Sequence, residues 1–155
     1  VVDTMDKPIH SLEHTDEATK QMLENVRKRK IKFDTAKRWH YLTIYSMLIF
    51  AFVFFIYFYF MIAKQYSYSF FAMFSASVSD AINISLFAIT VILYGAMNVL
   101  RQQKDKKEKE YQELRCEIVN RSKDLWKKEE HWKNRHLDFE VMKKTYDINL
   151  YHEKK

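Results

Sequence analysis

Residues 10–14, "HSLEH", have the H-x-x-E-H spacing with which one class of peptidase holds zinc on two histidines while a glutamate activates water. That chemistry needs both histidines on one helix face, a third ligand and a cleft that excludes solvent. The surroundings of His10, Glu13 and His14 do not promise them. Pro8 stands just ahead, and segment 1–15 is expected to be a flexible terminus. His131 and His136 are five apart and do not share a helix face, while His40 beside Trp39 reads as interfacial. Surface histidines are therefore the expectation. With no Gly-rich phosphate loop and no nucleophile elbow, the chain reads as a non-enzyme without catalytic residue, metal or cofactor.

The elements available to position any site follow from how the chain is punctuated. One glycine (Gly95) and one proline (Pro8) occur in 155 residues, so long helices are expected. Charge is segregated. Residues 1–38 carry nine Lys/Arg and seven Asp/Glu and residues 101–155 carry sixteen and twelve, but between Trp39 and Leu100 only Lys64 and Asp80 are charged. A single cysteine, Cys116, cannot close an internal disulfide and reads as a free thiol. An opening on Val1 is read as a valine-coded start or a trimmed chain, with Met5 a candidate start. The first apolar run begins near residue 41 behind a charged segment, so it is expected to be retained rather than cleaved.

Residues 41–63 are uncharged over 23 positions, and eight of the eleven residues from Phe50 to Phe60 are aromatic without polar alternation. A bilayer core about 30 Å thick needs roughly 20 apolar helical residues, and barrel strands would alternate. Residues 81–100 supply a second uncharged run, softened by Asn83, Ser85, Thr90 and Asn98. Two transmembrane helices are predicted. Arg27, Lys28, Arg29, Lys30, Lys37 and Arg38 precede the first, Arg101 and Lys104 follow the second, and only Lys64 lies between, which places both termini in the cytoplasm. Those eight residues are the expected contacts for anionic lipid, and no nucleic acid is expected.

The connector, 64–80, is rich in aromatic residues suited to the headgroup boundary. It is read either as an interfacial cap or as the outer turns of a longer second span, with Asp80 facing protein or water. Within the second span Ala81, Ser85, Ala88 and Gly95 put small residues on one face, where another backbone can approach, and Asn98 can hydrogen-bond across helices. They are expected to pack the hairpin. Asn83, Thr90 and Asn98 also admit an alternative, a small oligomeric channel or permeability factor.

Thr15, Asp16 and Glu17 read as a helix start. Ala18, Met22, Val26 and Phe33 then follow at helical spacing, widened by Leu23. In the tail Tyr111, Ile118, Leu125, Trp132, Phe139 and Tyr146 recur every seven residues, while the partner position is apolar at Leu114 and Met142 and basic at Arg121, Lys128 and Arg135. Val119 and Trp126 broaden this seam. A helix over 101–146 would reach about 70 Å, about twice the length of 16–38. The seam is thus expected to meet another copy or a cytoplasmic protein, with the N-terminal helix and the membrane surface as alternatives.

The stretch "HTDEATKQML" (14–23), the aromatic first span and the charged tail together resemble the YpbF-like family of small two-span membrane proteins from Bacillus-type bacteria. The resemblance implies a bacterial inner-membrane location and carries no chemistry onto individual residues. The expected fold is all-α: a two-span transmembrane helical hairpin with long cytoplasmic helical extensions. Its parts are a flexible N-terminus (1–15), a basic amphipathic cytoplasmic helix (16–40), transmembrane helix 1 (41–63), an external interfacial connector (64–80), transmembrane helix 2 (81–100), a long charged cytoplasmic helix (101–147) and a C-terminal tail (148–155). The expected role is a noncatalytic membrane protein whose partners are the bilayer and either itself or a cytoplasmic protein.

Overall fold

Leu23, Val26 and Phe33 lie on one helix face at spacings of three and seven, and Tyr111 and Ile118 repeat at seven on another; all five are buried. Two stripes of this kind need a common core. The computed structural model describes residues 6–13 and 15–151, and every regular element in it is helical. His14, the candidate start Met5 and tail residues 152–155 lie outside the described residues. The chain divides into a terminal unit, Val1–Thr35 with Asp105–Lys155, and a central unit, Ala36–Lys104.

The terminal unit begins with α1 (Lys7–His10), where the Asp6 carboxylate accepts the Lys7 N–H and Pro8 occupies the first turn. Ile9 and Leu12 enter the core, so residues 6–13 are held rather than loose as expected. Next comes α2 (Glu17–Tyr57), whose 41 residues would extend about 60 Å. Thr15 does not cap it; its hydroxyl donates to Asp138 at 2.5 Å. The second long helix, α4 (Ala81–Asn120), returns the chain to this unit.

The tail departs from the single helix expected over 101–147. It breaks into the end of α4, a four-residue α5 (Ser122–Leu125) and α6 (Glu129–Tyr146). Arg29 donates to the Glu110 carbonyl at 2.9 Å and Thr19 to that of Leu125 at 3.1 Å, so this part of α4 runs antiparallel to α2. Asp16 faces His131 and Lys30 faces Asp147, so α6 runs parallel to α2 and closes a three-helix bundle. The physical reason for the reversal is burial. Trp126, 1% exposed, packs edge-on against Phe139 with ring centroids 5.3 Å apart, which a straight helix would forbid. Large apolar burial outweighs the small local preference for continuing a helix.

Asp147 holds φ 56° and ψ 36°, the left-handed conformation that an acidic side chain tolerates at a helix end. The turn sends Ile148 and Leu150 back into the core, so part of the expected free tail is structural.

In the central unit α2 continues through a π-helical segment, Phe58–Ala63. A turn leads to α3 (Phe70–Ser79), capped by the Ser69 hydroxyl on the Ala72 N–H. Asp80 is extended (φ −85°, ψ 109°), and α4 starts immediately after it. Residues 70–80 are therefore a separate short helix and its break, not the outer turns of the second long helix. His40, Ile44, Met47, Ala51 and Phe54 on α2 are buried or half-buried, as are Asn83, Leu86, Thr90, Leu93 and Met97 on α4. Both sets alternate three- and four-residue steps, the spacing of interlocking helical seams. Phe54 and Phe87 bring their rings to 5.9 Å between the two helices.

Candidate functional site

The central unit turns its largest apolar side chains outward. Phe52 is 67% exposed and Ile92 69%, and Phe55, Tyr59, Phe60, Phe87 and Val91 are exposed with them. Two helices, Glu17–Ala63 and Ala81–Asn120, are long and apolar enough to cross a membrane, and only 6% of the most apolar 18-residue stretch of each is buried. Core helices of a globular domain hide such residues.

The small-residue face does not pack the hairpin as expected. Ala81, Ser85, Ala88 and Gly95 are all exposed, and nothing lies within 4 Å of where a Gly95 side chain would begin. The reason is rotational register: the inward face of α4 is set by Asn83, Leu86, Thr90, Leu93 and Met97, offset from the small residues. Asn98, half-buried, lies close to the packed side. Two of the three polar residues that suggested a pore donate hydrogen bonds inside the unit, although the buried Asn83 Oδ1 has no partner among the described residues. Thr90 donates to the Leu86 carbonyl at 2.8 Å and the Asn83 amide donates to that of Ser77 at 3.0 Å.

The seven-residue seam is likewise covered within the chain. Tyr111, Ile118 and Phe139 are buried, and Leu125, Trp132 and Tyr146 pack half-buried against the same core. The expected open face is absent because the chain folds back on α2. Around this core lie two polar clusters. Asp138, 2% exposed, accepts from Thr15 and from the Trp126 indole N–H at 2.9 Å. Glu24, equally hidden, takes two hydrogen bonds from Arg27 at 2.6 and 2.9 Å, and Asp6 sits 3.5 Å from the same guanidinium. The Glu24 hydrogen bond raises Arg27 above its ordinary pKa despite desolvation. Burial, then the 3.0 Å hydrogen bond to Asp6, pushes the Tyr146 phenol from 10.0 up to about 12. Burial also raises Tyr111.

Of the eight basic residues expected at lipid, three work inside the terminal unit. Arg27 is paired as above, Arg29 bonds the Glu110 carbonyl, and Lys30 pairs with Asp34 and Asp147 while lying over the rings of Phe33 and Tyr111. Lys37, Arg38 and Arg101 are exposed; Lys28 and Lys104 are half-buried. The described part of the H-x-x-E-H stretch, residues 10–13, does not continue as a helix beyond His10. α1 ends at His10, whose carbonyl accepts from Lys20, and Glu13 lies in the following turn. Among the described residues no group of three His, Cys, Asp or Glu could hold a metal ion.

Sequence reasoning left one cluster unassembled. Asp80 accepts the Tyr57 hydroxyl on Oδ2 at 2.7 Å and the N–H groups of Ile82 and Asn83 on Oδ1 at 2.9 and 3.2 Å. Beside it a cavity of about 380 Å³ is lined by the π-helical segment, the turn after it and α3. The available signal was that Asp80 is the one acid between Trp39 and Leu100.

No solved structure gives a significant match to the chain. Over 148 residues it is 30% identical to "Uncharacterized protein YpbF" of Bacillus subtilis (strain 168), an alignment covering 91% of this chain and 92% of the relative. Residues 22–153 match the family model described as "Protein of unknown function (DUF2663)", and the chain, like the YpbF-type proteins it resembles, belongs to that family.

Proposed function

We propose that the chain is a noncatalytic integral protein of the bacterial inner membrane, with residues 41–63 and 81–100 crossing the bilayer and the terminal unit displayed in the cytoplasm as a folded helical module. The observation that carries this reading is the outward exposure of Phe52, Phe55, Phe87 and Ile92 on helices of spanning length. Exposed Lys37, Arg38 and Arg101 stand at the cytoplasmic ends, in keeping with the positive-inside tendency. The connector, with Tyr68 in the turn and Phe70 and Phe71 in α3 largely exposed, suits the opposite headgroup boundary. The module serves self-association or a cytoplasmic partner through its outer surface, where Leu137 and Tyr151 are exposed, rather than through the buried seam.

Thiol labelling in intact cells tests the topology. Cys116 should resist a membrane-impermeant reagent until cells are opened, whereas a cysteine replacing Ser67 should react from outside. Recovery of the full chain in the soluble fraction after alkaline extraction would refute the membrane reading. A photocrosslinker at Leu137 that captures neither a second copy nor any cytoplasmic protein would refute the binding role.

A further inference from the structure

Asp80 keeps a carboxylate in a region otherwise stripped of acids, and its three donors, a phenol and two backbone amides, are all neutral. No Lys, Arg or His among the described residues forms an ion pair with it. The N-terminal end of α4 offsets part of this charge, and a bound cation would offset the rest. The cavity beside it is lined by Tyr57, Gln65, Tyr66 and Ser79 as well as Asp80, and by the apolar Met61 and Ile62. Its volume, about 380 Å³, far exceeds the share of one water, roughly 30 Å³. The π-helical segment contributes to this recess: the Lys64 N–H reaches back five residues to the Tyr59 carbonyl at 2.9 Å, and Ile62 turns fully inward. Wide helical turns of this kind recur at functional sites.

We propose that this cavity holds the ammonium group of an aminophospholipid headgroup, with Asp80 as its counter-ion and the Tyr57 and Tyr66 rings as its walls. A hard divalent ion would need several anionic oxygens, and the cavity offers one carboxylate. An organic ammonium needs one counter-charge and aromatic surface, which are present. Lys64, exposed and one residue before the cavity-lining Gln65, is the basic residue nearest in sequence to pair with the phosphate of a zwitterionic headgroup. The inference rests on the membrane reading above, because such a ligand is delivered by the bilayer.

Native mass spectrometry of the purified full chain, loaded with equal phosphatidylethanolamine and phosphatidylglycerol, tests the proposal. The native chain should retain the ethanolamine lipid about tenfold better, an energy scale set by one desolvated ammonium contact. D80N should erase the preference while keeping the cap, since asparagine caps a helix as well as aspartate does. Y66L, which leaves the cap untouched, should lower it about threefold. Equal retention of the two lipids by the native chain, or an undiminished preference in D80N, overturns the proposal. Free ethanolamine that displaces the lipid at millimolar concentration overturns the lipid source in favour of a soluble amine. Partition of the native chain into membranes is measured alongside: its loss fails both readings, whereas lost preference with partition intact fails this one alone.

Discussion

Leu23 and Phe52 stand on the same unbroken helix and obey opposite rules. Leu23 has no exposed surface, while two thirds of Phe52 is exposed. In the terminal unit apolar residues converge and charges ring them. In the central unit the inward seam includes His40, Asn83 and Thr90 while phenylalanines and isoleucines face out. One stretch hides its apolar side chains and the other presents them, as the proposed bilayer setting requires, and no glycine or proline in α2 marks the change.

The strongest way to break the contrast is to empty the centre of the terminal unit. Trp126→Ala removes a buried ring and the indole donor to Asp138, and should cost about 3–5 kcal/mol. Limited proteolysis should then cut freely at Lys and Arg of the terminal unit while the fragment 41–100 survives. Equal resistance of native and variant chains would show that the bundle does not depend on this core.

Paired substitutions sharpen the comparison further. Phe52→Lys should lower membrane insertion by roughly 2.5–3.5 kcal/mol if lipid surrounds it. Ile31→Lys, on an exposed position of the same helix in the terminal unit, should change stability by less than about 0.5 kcal/mol. Measured by membrane-associated yield, similar behaviour of the two variants would erase the distinction between the regions.

A smaller effect is set by Tyr146. Its folded-state pKa is raised from 10.0 to about 12, so the folded unit holds the proton more tightly than the unfolded chain does. This stabilisation is complete below about pH 10 and is lost as pH rises through 12. Half-burial limits it to roughly 1–2 kcal/mol. Thermal unfolding from pH 9 to 12 should show that loss in the native chain and less of it in Tyr146→Phe, with a remainder from the raised Tyr111. Identical profiles would remove Tyr146 from the account. Smallest of all, Gly95→Ala meets open space and should stabilise α4 by about 0.5–1 kcal/mol. A loss in detergent-resistant self-association instead would reveal another backbone against that face.

The long helices, the two apolar runs and the seven-residue seam were all legible, because each is written in periodicity and solvent preference. The reversal near Trp126 carried no breaker residue, yet a trace of it existed: the seam's partner position turns basic at Arg121 and Lys128, the residues that immediately precede α5 and α6. Those charges interrupt the two-position pattern at the places where the helix gives way. Trp126 read as a fringe of the seam although it sits at the core's centre, since the turn changes which face it presents. Gly95 misled for a related reason. Small size suggested close approach, but facing direction depends on the rotation of α4, which Asn83, Leu86 and Thr90 determine together.

The terminal unit is assembled from the two extremes of the polypeptide, with Asp6 bonded to Tyr146. During synthesis, at roughly 5–20 residues per second, Leu23, Val26 and Phe33 leave the ribosome many seconds before Ile118, Phe139 and Met142 exist to cover them. The nascent N-terminal helix therefore waits with a greasy stripe bare, and its protection in that interval must come from chaperones or from nearby lipid.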